Sequence, residues 1–294
     1  MNGIINFYKP KGITSHGAVS FFRRLVNIKR IGHTGTLDPN AEGILPICIG
    51  KATRVSEYLL TADKEYRGTL VLGRSTDTQD GDGETLETSS KIVSEEDIRK
   101  CFDTFKGKQS QMPPMYSALK QNGKKLYELA REGIIVERKS RDINIYELKI
   151  EEIKNNKEVT FVTKCSRGTY IRTLCNDIGE DLGTFGYMSE LTRIGVGPFE
   201  LEDSYTRDQL ENLDPREIEK LLLPIDFPLM KFQKIEIEEE LYNKLVNGVK
   251  IKLYNKEELI GKTLRVYSKD NFIGIGEVIE KDQLQLLKMN KVFV

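Results

Sequence analysis

Hydrophobic and polar positions change period several times along the chain, and each change marks an element. The run GIINFYK, residues 3–9, is apolar until a Pro and Gly turn stops it, and it reads as a short strand. Beyond the turn, Ala18, Val19, Phe22, Leu25 and Val26 recur at helical spacing, so a helix is expected through Asn27 with Thr14 or Ser15 as its cap. ILPICIG is too short for a helix and reads as a buried strand, whereas KATRVSEYLLTA after it has an amphipathic helical pattern. The loop GHTGTLDPNAEG, residues 32–43, therefore lies between a helix and a strand.

Farther on, KEYRGTLVLG is a strand candidate and RSTDTQDGDGE a cluster of turn residues. Ser94 with Asp97 suits a capping box for the helix EEDIRKCFDTF. Two prolines forbid regular structure in MPPMYSALK, and KLYELAREG is a short helix closed by Gly133. EVTFVTKCS alternates as a half-buried strand does, while GTYIRTLCNDIGEDLG aligns Ile171, Leu174, Ile178 and Leu182 on one helical face. This order lacks the regular βαβ rhythm of a doubly wound sheet, so the expected class is α+β, a largely antiparallel sheet flanked by helices. The proline-bearing stretch LLLPIDFPLMKF closes a first domain over residues 1–229. Residues 230–294 then hold one helix, EEELYNKLVNG, and strands LRVYS and FIGIGEVIE around the turn KDN, which predicts a small β-rich barrel.

Composition narrows the function classes. With 38% hydrophobic and 31% charged residues the chain is globular, and no apolar run approaches the roughly 18 residues of a membrane span. No membrane partner is expected, and the cytoplasm is the expected location. Cys48, Cys101, Cys165 and Cys175 stand far apart with only His16 and His33 to help, which argues against a zinc site and against a disulfide framework. Formal net charge is zero, yet residues 1–54 carry eight Lys and Arg against two acids, and residues 120–141 carry seven against three. Acids gather in residues 77–103 and 200–226. Such segregation permits a basic face for a polyanion on a neutral protein, and equally describes ordinary solvated helix faces.

Candidate chemistry is sparse. GILPICIGKA fails as a phosphate-binding loop because six residues separate its glycines and Ala52 stands where Ser or Thr must bind magnesium. In GHTGTLDPNAEG, Pro39 keeps Asp38 out of a helix and the glycines permit tight reversals, so one carboxylate is held on a kinked loop. An Asp before Pro also starts many plain turns, and His33 beside it reads as easily as a satisfied loop histidine. Tyr170 and Arg172 in CSRGTYIRTL lie where a strand gives way to a helix. The arginine fork suits a phosphate or carboxylate, although a core tyrosine and a surface arginine would look the same. Both reach one pocket only if the first helical turn is irregular. Tyr66 could stack on a base or fill the core.

Taken together and in order, YKPKGITS, GHTGTLDPNAEGILPICIGKATR, KEYRGTLVLGRSTDTQDGDG, PPMYSALK and CSRGTYIRTLCNDIGEDLG closely resemble the motifs of bacterial tRNA pseudouridine synthases of the TruB family. The resemblance implies isomerisation of uridine 55 in the T loop of tRNA, with Asp38 as catalytic nucleophile and no metal or organic cofactor. It further implies that Arg172 pairs with Asp38, that Tyr66 stacks on the target base, that Tyr170 contacts the flipped nucleotide, and that His33 shapes the RNA pocket. Lys9 and Leu191 are implied as pocket supports, residues 120–141 as an RNA-gripping insertion, and residues 230–294 as a PUA-like RNA-binding module. The partner implied is the tRNA T arm; no protein partner is implied, and a monomer is the default expectation.

The chemistry accounts for these residue types. Uridine becomes its C-glycoside when the ribose–N1 bond breaks, the uracil turns, and C5 bonds to the sugar. An ionised carboxylate serves as nucleophile, at the sugar or at the uracil ring, or stabilises positive charge at the sugar. A neighbouring arginine favours its ionised form, and Tyr66 is a candidate to take the ribose proton in a sugar-first route. Turning the base out costs on the order of a few kcal/mol, and an aromatic platform returns roughly 1–3. Two rivals belong to other classes: an RNA-binding protein with a silent pocket, and an Asp-dependent nucleosidase, which would want a second carboxylate such as Glu42.

Overall fold

A computed structural model describes all residues, 1–294. The first part is built on strands β1 (Gly3–Lys9), β2 (Ile31–His33), β3 (Glu42–Ile49), β4 (Lys64–Leu72), β5 (Arg74–Thr76), β6 (Thr85–Thr88), β7 (Gly107–Gln111), β8 (Lys120–Gln121), β9 (Lys124–Lys125), β10 (Arg141–Lys154), β11 (Glu158–Cys165), β12 (Gly186–Val196) and β13 (Phe199–Glu200). The main sheet runs β1-β3-β12-β4-β11-β10-β7, with β2 paired to β3 and β13 to β12. Every pairing in it is antiparallel except β12 with β3. This is the α+β, largely antiparallel and mixed architecture expected.

Both faces of the sheet are covered. On one, helix α1 (Ser15–Val26) buries Ala18, Val19, Phe22 and Val26, and helix α5 (Ile171–Asp181) buries Ile171, Leu174 and Ile178 against Ile5, Phe7, Leu45, Leu70 and Phe161. Between them in the chain come α2 (Ser56–Leu60), α3 (Glu95–Thr104) and α4 (Leu126–Arg131). Thr14 caps α1 by accepting the Gly17 N–H at 2.9 Å, and Asn27 ends it in the left-handed conformation that asparagine tolerates. On the other face, Ile4, Ile44, Cys48, Val55, Leu59 and Phe199 meet Leu229, Ile275 and Phe293. Each such aliphatic side chain contributes roughly 1.5–3 kcal/mol when fully buried.

The C-terminal residues form a strand-rich half-barrel. Its strands are β14 (Gln233–Glu236), β15 (Ile251–Leu253), β16 (Thr263–Ser268), β17 (Asn271–Lys281) and β18 (Leu284–Val292), ordered β14-β16-β17-β18-β15 beside the helix Glu239–Val246. The Arg54 guanidinium donates to the Val292 carbonyl, and Lys291 pairs with Glu57 at 2.6 Å, so polar contacts reinforce the apolar seam with the main sheet.

Local differences from expectation have physical causes. KATRVSEYLLTA is not one helix: Gly50–Val55 forms a 3-10 turn before α2, because the Thr53 hydroxyl donates back to the Gly50 carbonyl and accepts from Arg30. The turn cluster RSTDTQDGDGE contains β5, which pairs with β6 to make a hairpin around the turn. No helix is long and apolar enough to cross a membrane.

Candidate active site

The Asp38 loop is held from behind by the first motif of the chain. The Lys9 ammonium is fully buried and donates to the carbonyls of Pro10 and Ile13, both at 2.9 Å, and of Pro39 at 3.2 Å. Gly12 N–H donates to the same Pro39 carbonyl at 2.9 Å. Ser15 clamps Leu37 in both directions, accepting its N–H at 2.9 Å and donating to its carbonyl at 3.1 Å. YKPKGITS and GHTGTLDP are thus one structural unit, and the Asp38 side chain is left 43% exposed on its outer side.

There it meets Arg172. This arginine is 5% exposed, and Nε stands 3.1 Å from Asp38 Oδ2. Its remaining donors are also used: Nη1 reaches the Thr78 carbonyl at 3.1 Å and Asp80 Oδ2 at 3.4 Å, and Nη2 the Tyr116 carbonyl at 2.9 Å. The loop after β5 and the proline-rich segment after β7 therefore converge on one guanidinium and aim it at Asp38. Burial pushes the Asp80 carboxyl above its ordinary value, against the pull of the Thr78 hydroxyl and of Arg172. Asp80 lies within RSTDTQDGDGE, whose residue pattern predicts only a turn.

Tyr170 is the N-cap of α5, with extended backbone at φ −98° and ψ 110°, so it lies outside the helix that carries Arg172. This is the irregular first turn that both residues need. Gln111, at the end of β7, fixes it by accepting the Tyr170 N–H at 2.8 Å and donating to its carbonyl at 3.0 Å. The Arg141 guanidinium lies 5.6 Å from the Tyr170 ring centre.

Tyr66 is half-buried on β4, facing Arg193 of β12 across the ladder and close enough to Asp38 to feel its charge. Burial raises the phenol above its ordinary value, while Arg193 opposes that rise. His33 accepts the Gly35 N–H on Nδ1 at 3.3 Å, and burial with the nearby Arg193 charge lowers its affinity for a proton. It braces the turn before Asp38 as a neutral side chain. Leu191 is buried opposite Gly68, and Lys9 is held away from solvent. Sequence reasoning misses Arg193, Asp80 and Gln111; the only signal for Arg193 is its place two residues after Leu191.

Residues 23–171 match the model for the TruB family pseudouridylate synthase N-terminal domain, residues 172–230 the tRNA pseudouridylate synthase B C-terminal domain, and residues 234–285 the C-terminal domain of pseudouridine synthase II TruB. The chain belongs to the TruB family of pseudouridylate synthases. It is 46% identical to the tRNA pseudouridine synthase B of Alkaliphilus oremlandii, covering 97% of this chain and 96% of that one. With the tRNA pseudouridine synthase B of Clostridium tetani the identity is 44%, over 98% and 99%. Among solved structures, a chain of a Cbf5-Nop10-Gar1 complex superposes with a TM-score of 0.75 at 27% identity, covering 99% of this chain and 85% of that one.

Proposed function

We propose that this chain is a tRNA pseudouridine synthase that isomerises uridine 55 of the T loop, with Asp38 as its nucleophile. The observation that carries the reading is the Asp38–Arg172 pair, 3.1 Å apart, in which the arginine is buried and the aspartate open to a ligand. A carboxylate so paired is held in one orientation while its exposed side is open to meet the nucleotide. The flipped base stacks on Tyr66 and is bounded by Tyr170, with Leu191, Lys9 and His33 holding the pocket walls. The C1′–N1 bond breaks with its electron pair going to the uracil, the ring turns, and C5 bonds to C1′. The C5 proton leaves and N1 gains one, so no oxidant, reductant or water is consumed.

Residues 1–229 act as the catalytic part with a grip at residues 120–141, and residues 230–294 as a PUA-like module that adds RNA contact. This division is supported by family matches that end at residue 230 and resume at residue 234. The reading takes the chain as a monomer acting on tRNA in the cytoplasm. A hydrolase reading would need Glu42 as acid or base, but Glu42 is engaged by the Tyr8 phenol and lies 3.5 Å from the Thr192 hydroxyl.

Incubating the chain with an unmodified tRNA transcript and mapping pseudouridine tests the reading. Product is expected at position 55 with wild type and none with Asp38→Asn, whose tRNA affinity should stay within about tenfold, roughly 1.4 kcal/mol. Wild type forming no product beside an active control enzyme would sink the assignment.

A further inference from the structure

One rung of the main sheet runs beneath the Asp38 loop. Lys9 of β1 pairs with Gly43 of β3, Gly43 with Arg193 of β12, and Arg193 with Tyr66 of β4. Side chains on one rung point to one face. Arg193 occupies its centre and is 1% exposed. Its Nε donates to the Ile44 carbonyl at 2.7 Å, Nη1 to Thr36 at 3.4 Å and Nη2 to Gly35 at 3.2 Å, and the guanidinium also meets the Tyr66 phenol. No carboxylate forms an ion pair with it.

Burying a guanidinium without a counter-ion is costly, since both its hydration and an opposing charge are given up. Neutral amide or hydroxyl donors would hold the same three carbonyls more cheaply. The positive charge therefore needs a use beyond tethering. Tyr66 is the one side chain touching it that can develop negative charge, and the guanidinium opposes the effect of burial on that phenol.

We infer that Arg193 is a positioning residue for the isomerisation, acting through Tyr66: it locks the phenol in register with the Asp38 loop and keeps a buried positive charge against the hydroxyl. The inference rests on the reading that Asp38 and Tyr66 serve this reaction. It makes the hydroxyl matter as well as the ring, because a stacking platform alone has no need of a cation at its edge.

The test measures single-turnover pseudouridine formation and tRNA Kd for wild type, Tyr66→Phe, Arg193→Gln, Arg193→Lys, and both double variants. Arg193→Gln should lower the rate at least thirtyfold with Kd within threefold, and Arg193→Lys, which keeps the charge, should recover at least threefold of that loss. Adding Tyr66→Phe to either Arg193 variant should leave the rate within twofold of the slower single variant, because both changes remove one contact. Losses that multiply, a Kd that rises in proportion to the lost rate, or Arg193 variants that run at wild-type rate would each overturn the role. Should Arg193→Gln fail to fold, the cycle with Arg193→Lys decides the question alone. If wild type makes no pseudouridine, the function falls together with this role; if wild type does and the cycle is multiplicative, only the role of Arg193 falls.

Discussion

Replacing Lys9 by Met asks whether a buried cation holds the Asp38 loop. Methionine fills a similar volume and makes none of the three bonds to Pro10, Ile13 and Pro39. Each bond from a charged donor is worth roughly 1.5–3 kcal/mol, while release from the ammonium's burial returns several, which leaves a net loss of about 2 kcal/mol at neutral pH. Burial is also the main reason the ammonium is pushed down to about 8, with the Asp38 charge opposing. The sign of the pH effect follows. Between about 8 and its ordinary value of 10.5, the folded chain has released this proton and the unfolded chain still holds it. Wild-type stability therefore rises through that window, by at most about 1.4 kcal/mol per pH unit, and the methionine variant lacks the rise. Urea unfolding of both proteins, followed by circular dichroism at several pH values, should show their stability gap widening above about pH 8. A gap that stays constant up to about pH 10 refutes the depressed ammonium. No gap at neutral pH, with an unchanged single-turnover rate, refutes the tether.

Three other perturbations probe different parts of the molecule. Gly43 has φ +105°, and a Cβ there would meet the Arg193 backbone nitrogen at 2.7 Å with its carbonyl oxygen closer still. Gly43→Ala should cost about 3 kcal/mol or prevent folding, and a melting curve near wild type would show that β3 and β12 can separate without harm. Neutralising Lys124, Lys125 and Arg131 to Gln should weaken tRNA binding and reduce the slope of log K against log salt by roughly two; an unchanged slope would count against RNA contact by the 120–141 insertion. Asp226 accepts from Arg265 at 3.2 Å and from the Tyr267 hydroxyl, with both charged side chains largely buried. Asp226→Ala should cost about 3 kcal/mol by stranding the Arg265 charge, and a loss below about 1 in chemical denaturation would contradict that account.

Readability from sequence divided along the range of the interactions. Asp38, the Thr14 cap and the αL end of α1 depend on neighbours a few residues away, and turn and capping chemistry is local. β10 and β12 were not marked as strands because each carries two register irregularities, at Ile145/Glu147 and Ile150/Glu152 in one and at Met188/Glu190 and Arg193/Gly195 in the other. A bulge shifts the side-chain alternation by one and erases the period on which the reading depends. GKQSQ, the edge strand β7, has no apolar alternation to erase.

The same rule explains which site residues stayed hidden. Arg172 could be placed from its motif, but its four acceptors come from three separate segments, at Asp38, at Thr78 and Asp80, and at Tyr116. Asp80 looked like the middle of a turn because only the folded hairpin of β5 and β6 brings it to the guanidinium. Arg193 was still less visible, since its partners at Gly35, Thr36 and Ile44 lie about 150 residues earlier and are backbone carbonyls, which any sequence offers. The motifs therefore carry Asp38, Tyr66, Tyr170 and Arg172, while the pairing of β12 with β3 and β4 supplies the frame that holds them. A single crossover, the parallel contact of Arg193 with Gly43, brings that frame under the Asp38 loop.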